Sequence, residues 1–494
     1  MSHHSNDSQV TLVNKDANQE PPSQSKAPKK KSLYQRLTGS RSGEISEEDM
    51  LKYTGKSKEE LKEWAKDRPD VGKNQEAGRV DHLRMFQQQS KFSTPILHTS
   101  FRTIYALSFH QACFATLTMG SNAPKNLALR LPAFGTPLEK IELPIPEATT
   151  GTVVTRVLAA PVVPYTHLAH DGKLPQLNLE PPLIPNSAGI GRVHAVGPDA
   201  VRLKPGDLVY VKAQVQARDD PNTKIVIGHI GGSGPRAKKL MQGEWKDGAF
   251  QQYQKVPLEN CYLLNENRLC RELGYDAAVL QSLTMYAISA GAIIEAANLK
   301  PAETIVIGPS GGTFGGLAVE IALALGANVI ALGRNNEKLA AMQKTINHPR
   351  LQYVVMSGDD EVDRKAVIEK TPDAAGAEVY NDWTPGELPG PLYLSAASSV
   401  LKCEGRIVLS GGTMGGLGGI NYAEAVYKDL QILAKWVCHR KTLEQLINMI
   451  TQGQLKIGAE SGTITKSFTL DEVEEAKEYA KRYGGWRHYA VMSP

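Results

Sequence analysis

The stretch from Glu303 to Asn335, ETIVIGPSGGTFGGLAVEIALALGANVIALGRN, admits very few folds. Ile305, Val306 and Ile307 form a short β-branched apolar run of the kind a buried strand requires. Gly308, Gly311, Gly312, Gly315 and Gly316 crowd the turn that follows. Leu317 to Leu325 carries apolar residues at helical spacing, and Gly326 stops it. Val329 to Leu332 is a second apolar strand. Strand, glycine turn, helix and strand make one βαβ unit of the dinucleotide-binding kind, with flanking elements of the right type and length. Glycines let the backbone approach a pyrophosphate, and the helix N-terminus offers free N–H groups and the positive end of its dipole. Gly308, Ser310, Gly311, Gly312, Thr313 and Gly315 are the residues expected at that contact.

The end of the second strand chooses the cofactor. NAD sites place an Asp or Glu there, about 20 residues past the glycines, to bind the ribose hydroxyls. Here the position reads Gly333-Arg334-Asn335-Asn336, with Lys338 just beyond. A guanidinium and an ammonium stand where a 2′-phosphate would be attracted. The expectation is NADP(H), with Gly333, Arg334, Asn335 and Lys338 at its adenosine end. The bland alternative for Arg334 is a solvated helix-start residue.

The chain has 494 residues, 41% hydrophobic and 22% charged, with net charge +4, which leaves room for two or three domains. The positive charge is concentrated near the N-terminus, at Lys26, Lys29, Lys30 and Lys31, so a nucleic-acid partner is not expected. Five cysteines without a CxxC pair argue for a reducing, cytoplasmic setting and against a cysteine-rich zinc site. No segment holds the ~20 uninterrupted apolar residues of a membrane span, and the N-terminal residues do not read as a signal peptide.

Residues 1 to about 45 are too polar to bury a core, and residues 1–118 as a whole read as a mostly disordered extension. Within it, Ser46 with Asp49 and Ser57 with Glu60 stand at capping-box spacing, which marks two short helix starts. Residues 95–118 turn abruptly apolar, and a fresh start follows at Met119. From about 125 to 260 short strands alternate with Pro, Gly and Asp turns, as at Lys204-Pro205-Gly206-Asp207. From about 275 to 435 strands and helices alternate, which predicts a parallel sheet covered on both faces. Glu378 to Asp382 and Gly405 to Ser410 read as two of its strands, the second running into Gly411 and Gly412. Residues 440–453 and 471–483 read as helices, and Tyr489 to Met492 as an end strand. The folding of loops 165–180 and 214–245 is not legible.

Several stretches together resemble the medium-chain dehydrogenase/reductase superfamily. Val157-Leu158-Ala159-Ala160-Pro161-Val162-Val163-Pro164 sits where that family's first active-site loop lies. Pro182 to Gly191 resembles the second, and Asp247-Gly248-Ala249-Phe250 and Leu299-Lys300-Pro301 resemble the later lead-ins. The resemblance covers roughly residues 125–494. It implies an α/β protein: a β-rich GroES-like domain (119–274), a Rossmann-type doubly wound parallel sheet (275–437), and a return segment (438–494) packing on the β-rich domain. It also implies a small-molecule substrate, no membrane partner, and assembly as a homodimer or tetramer, which the family favours.

The departures bear on the chemistry. Zinc members of the family carry a Cys in the first loop and Gly-His-Glu in the second. Those positions here are Val163 and Asn186-Ser187-Ala188, and the region of the structural-zinc lobe, Gln214 to Pro235, has no cysteine. A catalytic zinc needs three protein ligands plus an open position, so no metal is expected. This resembles the zinc-free quinone oxidoreductases and enoyl reductases. His167 and His170, with His229 from the next segment, are the one metal alternative. Without a metal, positioning and a donor to the substrate oxygen must do the work. Tyr165 and Thr166 are the catalytic candidates in the first loop, with His229 as a proton donor. Thr284 resembles the family's threonine near the nicotinamide, and Ser410, Gly411 and Gly412 should approach that ring from the other side. Short-chain reductase chemistry is excluded, because no Tyr has a Lys four residues on. The expected activity is hydride transfer to an activated C=C or C=O. The alternative is a non-catalytic NADP(H)-binding sensor or scaffold.

Overall fold

The computed structural model describes Ser57, Glu59, Glu60 and residues 124–494. The chain divides into two compact units, Met1–Leu117 and Thr118–Pro494. In the first, the Ser57 amide donates to Glu60 Oε2 (2.7 Å) and the Glu60 amide donates to Ser57 Oγ (3.3 Å). That is the reciprocal capping which the spacing predicts. The expected disorder, the Ser46–Asp49 pair and the apolar 95–118 segment lie outside the described residues.

The second unit begins with an antiparallel pair, β1 (Lys125–Arg130) and β2 (Glu139–Pro144). The strands β3 (Thr152–Val162), β4 (Ile190–Val196) and β5 (Leu208–Val211) follow. A small pair, β6 (Gln214–Gln216) and β7 (Lys224–Val226), precedes β8 (Tyr253–Pro257) and β9 (Cys261–Leu263). Near the C-terminus, β16 (Ile464–Phe468) and β17 (His488–Met492) return to this region, and the sheet runs β16-β17-β3-β4-β5-β9 with β8 also on β3. The residues resembling the first active-site loop are therefore mostly strand, because Val157–Val162 pair with β4 and β17. Only Val163 to Tyr165 remain as a loop before the short helix Thr166–His170. Between β7 and β8 lies the helix Gly234–Gln242, with Pro235 in its first turn.

The nucleotide side is a six-stranded parallel sheet: β10 (Thr304–Gly308), β11 (Asn328–Gly333), β12 (Leu351–Val355), β13 (Ala377–Asp382), β14 (Leu401–Leu409) and β15 (Gln431–Ala434). Its order is β12-β11-β10-β13-β14-β15, so the winding reverses between β10 and β13. Every residue of β10 is buried, as a strand covered on both faces requires. Ile305 and Ile307 pack with Leu283, Leu317, Ile321 and Leu443 on one face, while Val306 packs with Leu394, Ala397 and Val400 on the other. The helix Thr313–Ala324 packs on Leu283–Ala290, part of a 20-residue helical run, Ala277–Ala296. That run is apolar enough to cross a bilayer, and it is mostly buried in this core. The return segment divides its packing, since the helix Arg440–Thr451 contacts Leu283–Ala290 while β17 pairs with β3.

Candidate functional site

The glycine turn joins β10 to the helix Thr313–Ala324, whose N-cap is Gly312 with no side-chain capping bond. Its glycines do different jobs. A Cβ on Gly315 would overlap the Pro309 carbonyl oxygen, and one on Gly316 would overlap the Trp486 indole. A Cβ on Gly308 would come within 2.8 Å of Leu332 Cβ and 2.9 Å of Tyr393 Cδ2. These three glycines permit close packing. Gly312 has open space before it, and only Lys338 Cδ, at 3.9 Å, approaches the Cβ position of Gly311. Gly311, Gly312 and the unsatisfied first-turn N–H groups from Thr313 onward are thus the face a phosphate can reach. Ser310 belongs to the framework, because its amide (2.8 Å) and hydroxyl (2.9 Å) both donate to the Leu332 carbonyl.

At the tip of β11, Gly333 packs on Leu339 and Arg334 is exposed; burial raises the Tyr393 phenol, and the nearby Arg334 charge opposes that rise. Asn335 caps the helix Asn336–Ile346, its Oδ1 accepting the Lys338 amide at 2.9 Å. Lys338 is exposed and its stem lies beside Gly311. Glu337, the acid of that turn, is also exposed. On the far side of the switch point, the Ser410 amide donates to the Asp382 carbonyl (3.1 Å) and the Gly412 amide to the Thr384 carbonyl (2.8 Å). A Cβ on Gly411 would sit 2.9 Å from Asp382 Oδ2. Asp382 is buried, accepts from the Tyr380 hydroxyl (3.0 Å) and the Thr384 hydroxyl (2.8 Å), and burial raises its pKa. Trp383 donates its amide to the Gly308 carbonyl (2.8 Å) and stacks on Phe314 with ring centroids 5.8 Å apart.

In the β-rich region, Tyr165 and His229 meet across 64 residues of sequence, with the phenolic oxygen 3.2 Å from His229 Nε2. Both are partly accessible, yet the packing around their rings perturbs both. Burial pushes the Tyr165 phenol up to about 12, with the Glu387 carboxylate adding to it. Burial pulls the His229 imidazole down to about 4, so it is neutral at pH 7. Thr166 is buried and its hydroxyl has no hydrogen-bond partner among the described residues. His170, on the same short helix, is buried against the Phe250 ring and pulled down to about 3 by burial, with Lys477 next in effect. His167 bonds instead to the Pro164 carbonyl (3.1 Å). Thr284 donates to the Ala188 carbonyl (3.3 Å), tying the helix Leu283–Ala290 to the second loop.

The structure therefore brings Tyr165 to His229, and Lys338 to Gly311. Sequence reasoning passed over Trp383, Phe314 and Glu387. Trp383 alone carried a signal, as the aromatic directly after a strand that ends at the switch point.

A model of the alcohol dehydrogenase GroES-like domain matches residues 149–266, and one of the zinc-binding dehydrogenase domain matches residues 314–452. An NAD-dependent alcohol dehydrogenase of Sulfurisphaera tokodaii is 26% identical over 357 residues, covering 71% of this chain and 94% of its own. Among solved structures, AibC superposes with a TM-score of 0.60 at 19% identity, covering 76% of this chain and 97% of its own. A Sinorhizobium meliloti protein named for the zinc-binding dehydrogenases and solved with NADP gives 0.58 at 17% identity, covering 75% and 100%. The chain belongs to the medium-chain dehydrogenase/reductase superfamily, as an alcohol-dehydrogenase-like oxidoreductase for which a nicotinamide dinucleotide is the expected cofactor.

The open Gly311–Gly312 face fits such a dinucleotide. The zinc implied by the second family name does not fit the donor set. Val163 offers no donor, Ala188 is fully buried, and Ser187 offers only a hydroxyl. Asn186 adopts φ 80° and its Nδ2 donates to the Pro161 carbonyl at 2.7 Å. Among the described residues no group of three or more His, Cys, Asp and Glu side chains is arranged to hold a metal, His167, His170 and His229 included.

Proposed function

We propose that the chain is an NADP(H)-dependent, zinc-independent oxidoreductase that reduces an activated C=C or C=O of a small molecule such as a quinone, an enone or a ketone. The observation that carries this is the Tyr165–His229 pair, hydrogen bonded at 3.2 Å, two residues from a metal-ligand position that holds Val163. Residues 119–274 serve as the substrate domain and 275–437 as the nucleotide domain. Gly311, Gly312 and the Thr313 amide hold the pyrophosphate, while Arg334 and Lys338 hold the 2′-phosphate. Ser410, Gly411, Gly412 and Thr284 bracket the nicotinamide.

The cofactor, when bound, supplies the hydride. Tyr165 donates the phenolic proton to the substrate oxygen as negative charge grows there. His229, neutral at pH 7, returns a proton from Nε2 to the phenolate as its Nδ1 takes one up from solvent, so the ring ends neutral. A phenol raised to about 12 is a weak acid in the ground state, so it stays protonated until the substrate oxygen becomes basic. The buried Tyr380 hydroxyl and Asp382 carboxylate bond to each other within β13, while Asn381 Nδ2 donates to the Val408 carbonyl of β14; none of these takes part in proton transfer.

The edge strand β15 supports assembly with a second copy. Tyr422, Val426, Tyr427, Ile432 and Trp436, within and on either side of that edge strand, are all exposed, and an unpaired apolar edge invites pairing.

Consumption of NADPH and of NADH with a panel of quinones, enones and ketones, before and after chelation, tests the reading. NADPH turnover that survives chelation is the expected result. Strong NADPH binding with no turnover across the panel makes the chain a sensor or scaffold, and turnover lost on chelation rejects zinc independence.

A further inference from the structure

The nucleotide helix carries a buried charge. Glu320 sits mid-helix with its side chain 3% exposed. Burying a carboxylate costs several kcal/mol unless its oxygens are well bonded. Here three donors converge on it: the Tyr286 hydroxyl at 2.6 Å, the Trp486 indole N–H at 2.5 Å and Arg487 Nε at 2.7 Å. Tyr286 lies two residues past Thr284 on the helix that borders the nicotinamide position. Trp486 and Arg487 belong to the C-terminal turn just before β17.

That turn touches both halves of the site. The Trp486 indole fills the space that a Cβ on Gly316 would need. The Thr313 hydroxyl donates to the Gly485 carbonyl at 3.1 Å, and the Cβ position of Gly485 is 3.7 Å from the Gly311 carbonyl oxygen. On its other side, a Cβ on Gly484 would lie 2.5 Å from Pro164 Cγ, one residue before Tyr165. Gly484 and Gly485 are therefore a wedge with the glycine turn on one side and the Tyr165 loop on the other. Apolar residues in place of both Glu320 and Arg487 could pack as well but would not fix the wedge's register, which is the best-attested use of a buried polar node.

We propose that Glu320, Trp486 and Arg487 are positioning residues that hold the Gly484–Gly485 wedge, and that this wedge sets the spacing between the dinucleotide and the Tyr165–His229 pair. The proposal rests on the reading of the crevice and the proton donor given above. The indole and guanidinium act through the backbone they fix and touch neither substrate nor cofactor.

Glu320→Gln tests it, with Trp486→Phe as a milder variant that keeps an aromatic ring against Gly316. In both, hydrogen exchange at the Ser310 and Gly316 amides of the glycine turn, which donate to the Leu332 and Gly312 carbonyls, and at the Thr166 amide, which donates to the Val163 carbonyl, rises together in the cofactor-free protein. Titrated NADPH binds with little change, while kcat falls by ~10–100-fold in Glu320→Gln, the scale of a misplacement of about 1 Å, and by less in Trp486→Phe. Folded variants whose exchange rises at the glycine turn alone, or not at all, overturn the proposal. So does loss of NADPH binding with kcat unchanged at saturation. Should Glu320→Gln fail to fold, Trp486→Phe decides on the same readouts. If the wild-type protein binds no dinucleotide the reading of the crevice fails instead, and the exchange pattern still shows whether the wedge couples the two loops.

Discussion

On the reading proposed above, the crevice over the parallel sheet and the loop at Tyr165 form one site, yet they are built from different parts of the chain's chemistry. The crevice is a backbone site. Its requirements are space before Gly311 and Gly312, unpaired helix-start amides, and close packing at Gly308, Gly315 and Gly316. None of these depends on a particular functional group, so the crevice keeps the family's form. The cleft depends on side chains, and there the family's metal positions hold Val163, Ser187 and Ala188 while Tyr165 and His229 have come together. A backbone site tolerates almost any side-chain history provided that glycines stay. A side-chain site can change its chemistry with three substitutions and leave the fold intact.

The sharpest way to break this contrast is Tyr165→Phe. Removing one hydroxyl keeps the ring and the fold, and the loss of a positioned proton donor should lower kcat by ~10²–10⁴-fold with NADPH affinity unchanged. A fall in NADPH binding alongside kcat would mean that the two regions are not separable. The pH profile sharpens the same point. His229 and His170 have pKa values depressed by burial, to about 4 and about 3. Their stabilising contribution is therefore complete above the unfolded-state value near 6.5 and is lost as pH falls toward those depressed values. Activity should hold from neutral pH down past 6, and a midpoint near 6.5 would show a solvated imidazole.

Two glycines three residues apart give the next largest effect. Gly315→Ala drives a methyl into the Pro309 carbonyl oxygen and should destabilise the protein by ~1–3 kcal/mol, the usual scale of overpacking. Gly312→Ala meets nothing within 4 Å and has backbone φ −85°, which any residue adopts. It should leave the melting temperature alone and weaken dinucleotide binding. Equal effects of the two on stability would remove the distinction between packing glycines and ligand-facing glycines.

Much of the crevice was legible beforehand because periodicity and glycine spacing are local. The βαβ unit reads directly from Thr304 to Gly333. What escaped was tertiary. No local signal joins Tyr165 to His229, or places Trp486 on Gly316. The helix Gly234–Gln242 was also missed, although Ser233 and Pro235 mark a helix start once the stretch is not assumed to be a loop. Ser310 was assigned to the ligand by its place in the motif, and its hydroxyl is instead bound to Leu332.

Arg334→Asp probes the side-chain part of the crevice itself. It replaces the exposed guanidinium at the β11 tip with an acid and should weaken NADPH by ~1–3 kcal/mol, the scale of a lost bond to a charged group. NADH, which lacks the 2′-phosphate, should bind at least as well as before. Equal losses for both nucleotides would show that Arg334 serves the fold, through its charge beside the Tyr393 phenol.

The neighbouring Asn335 separates the two kinds of residue within a single turn. Its Oδ1 accepts the Lys338 amide at 2.9 Å, which is the work of an N-cap. Asn335→Ala should therefore cost about 1 kcal/mol of stability and reduce NADPH and NADH affinity by the same small factor, through fraying of the turn that carries Lys338. A selective loss of NADPH would instead place the amide on the 2′-phosphate. The geometry opposes that, because the oxygen is already engaged by the helix it starts and the residue's remaining donor competes with two cations beside it.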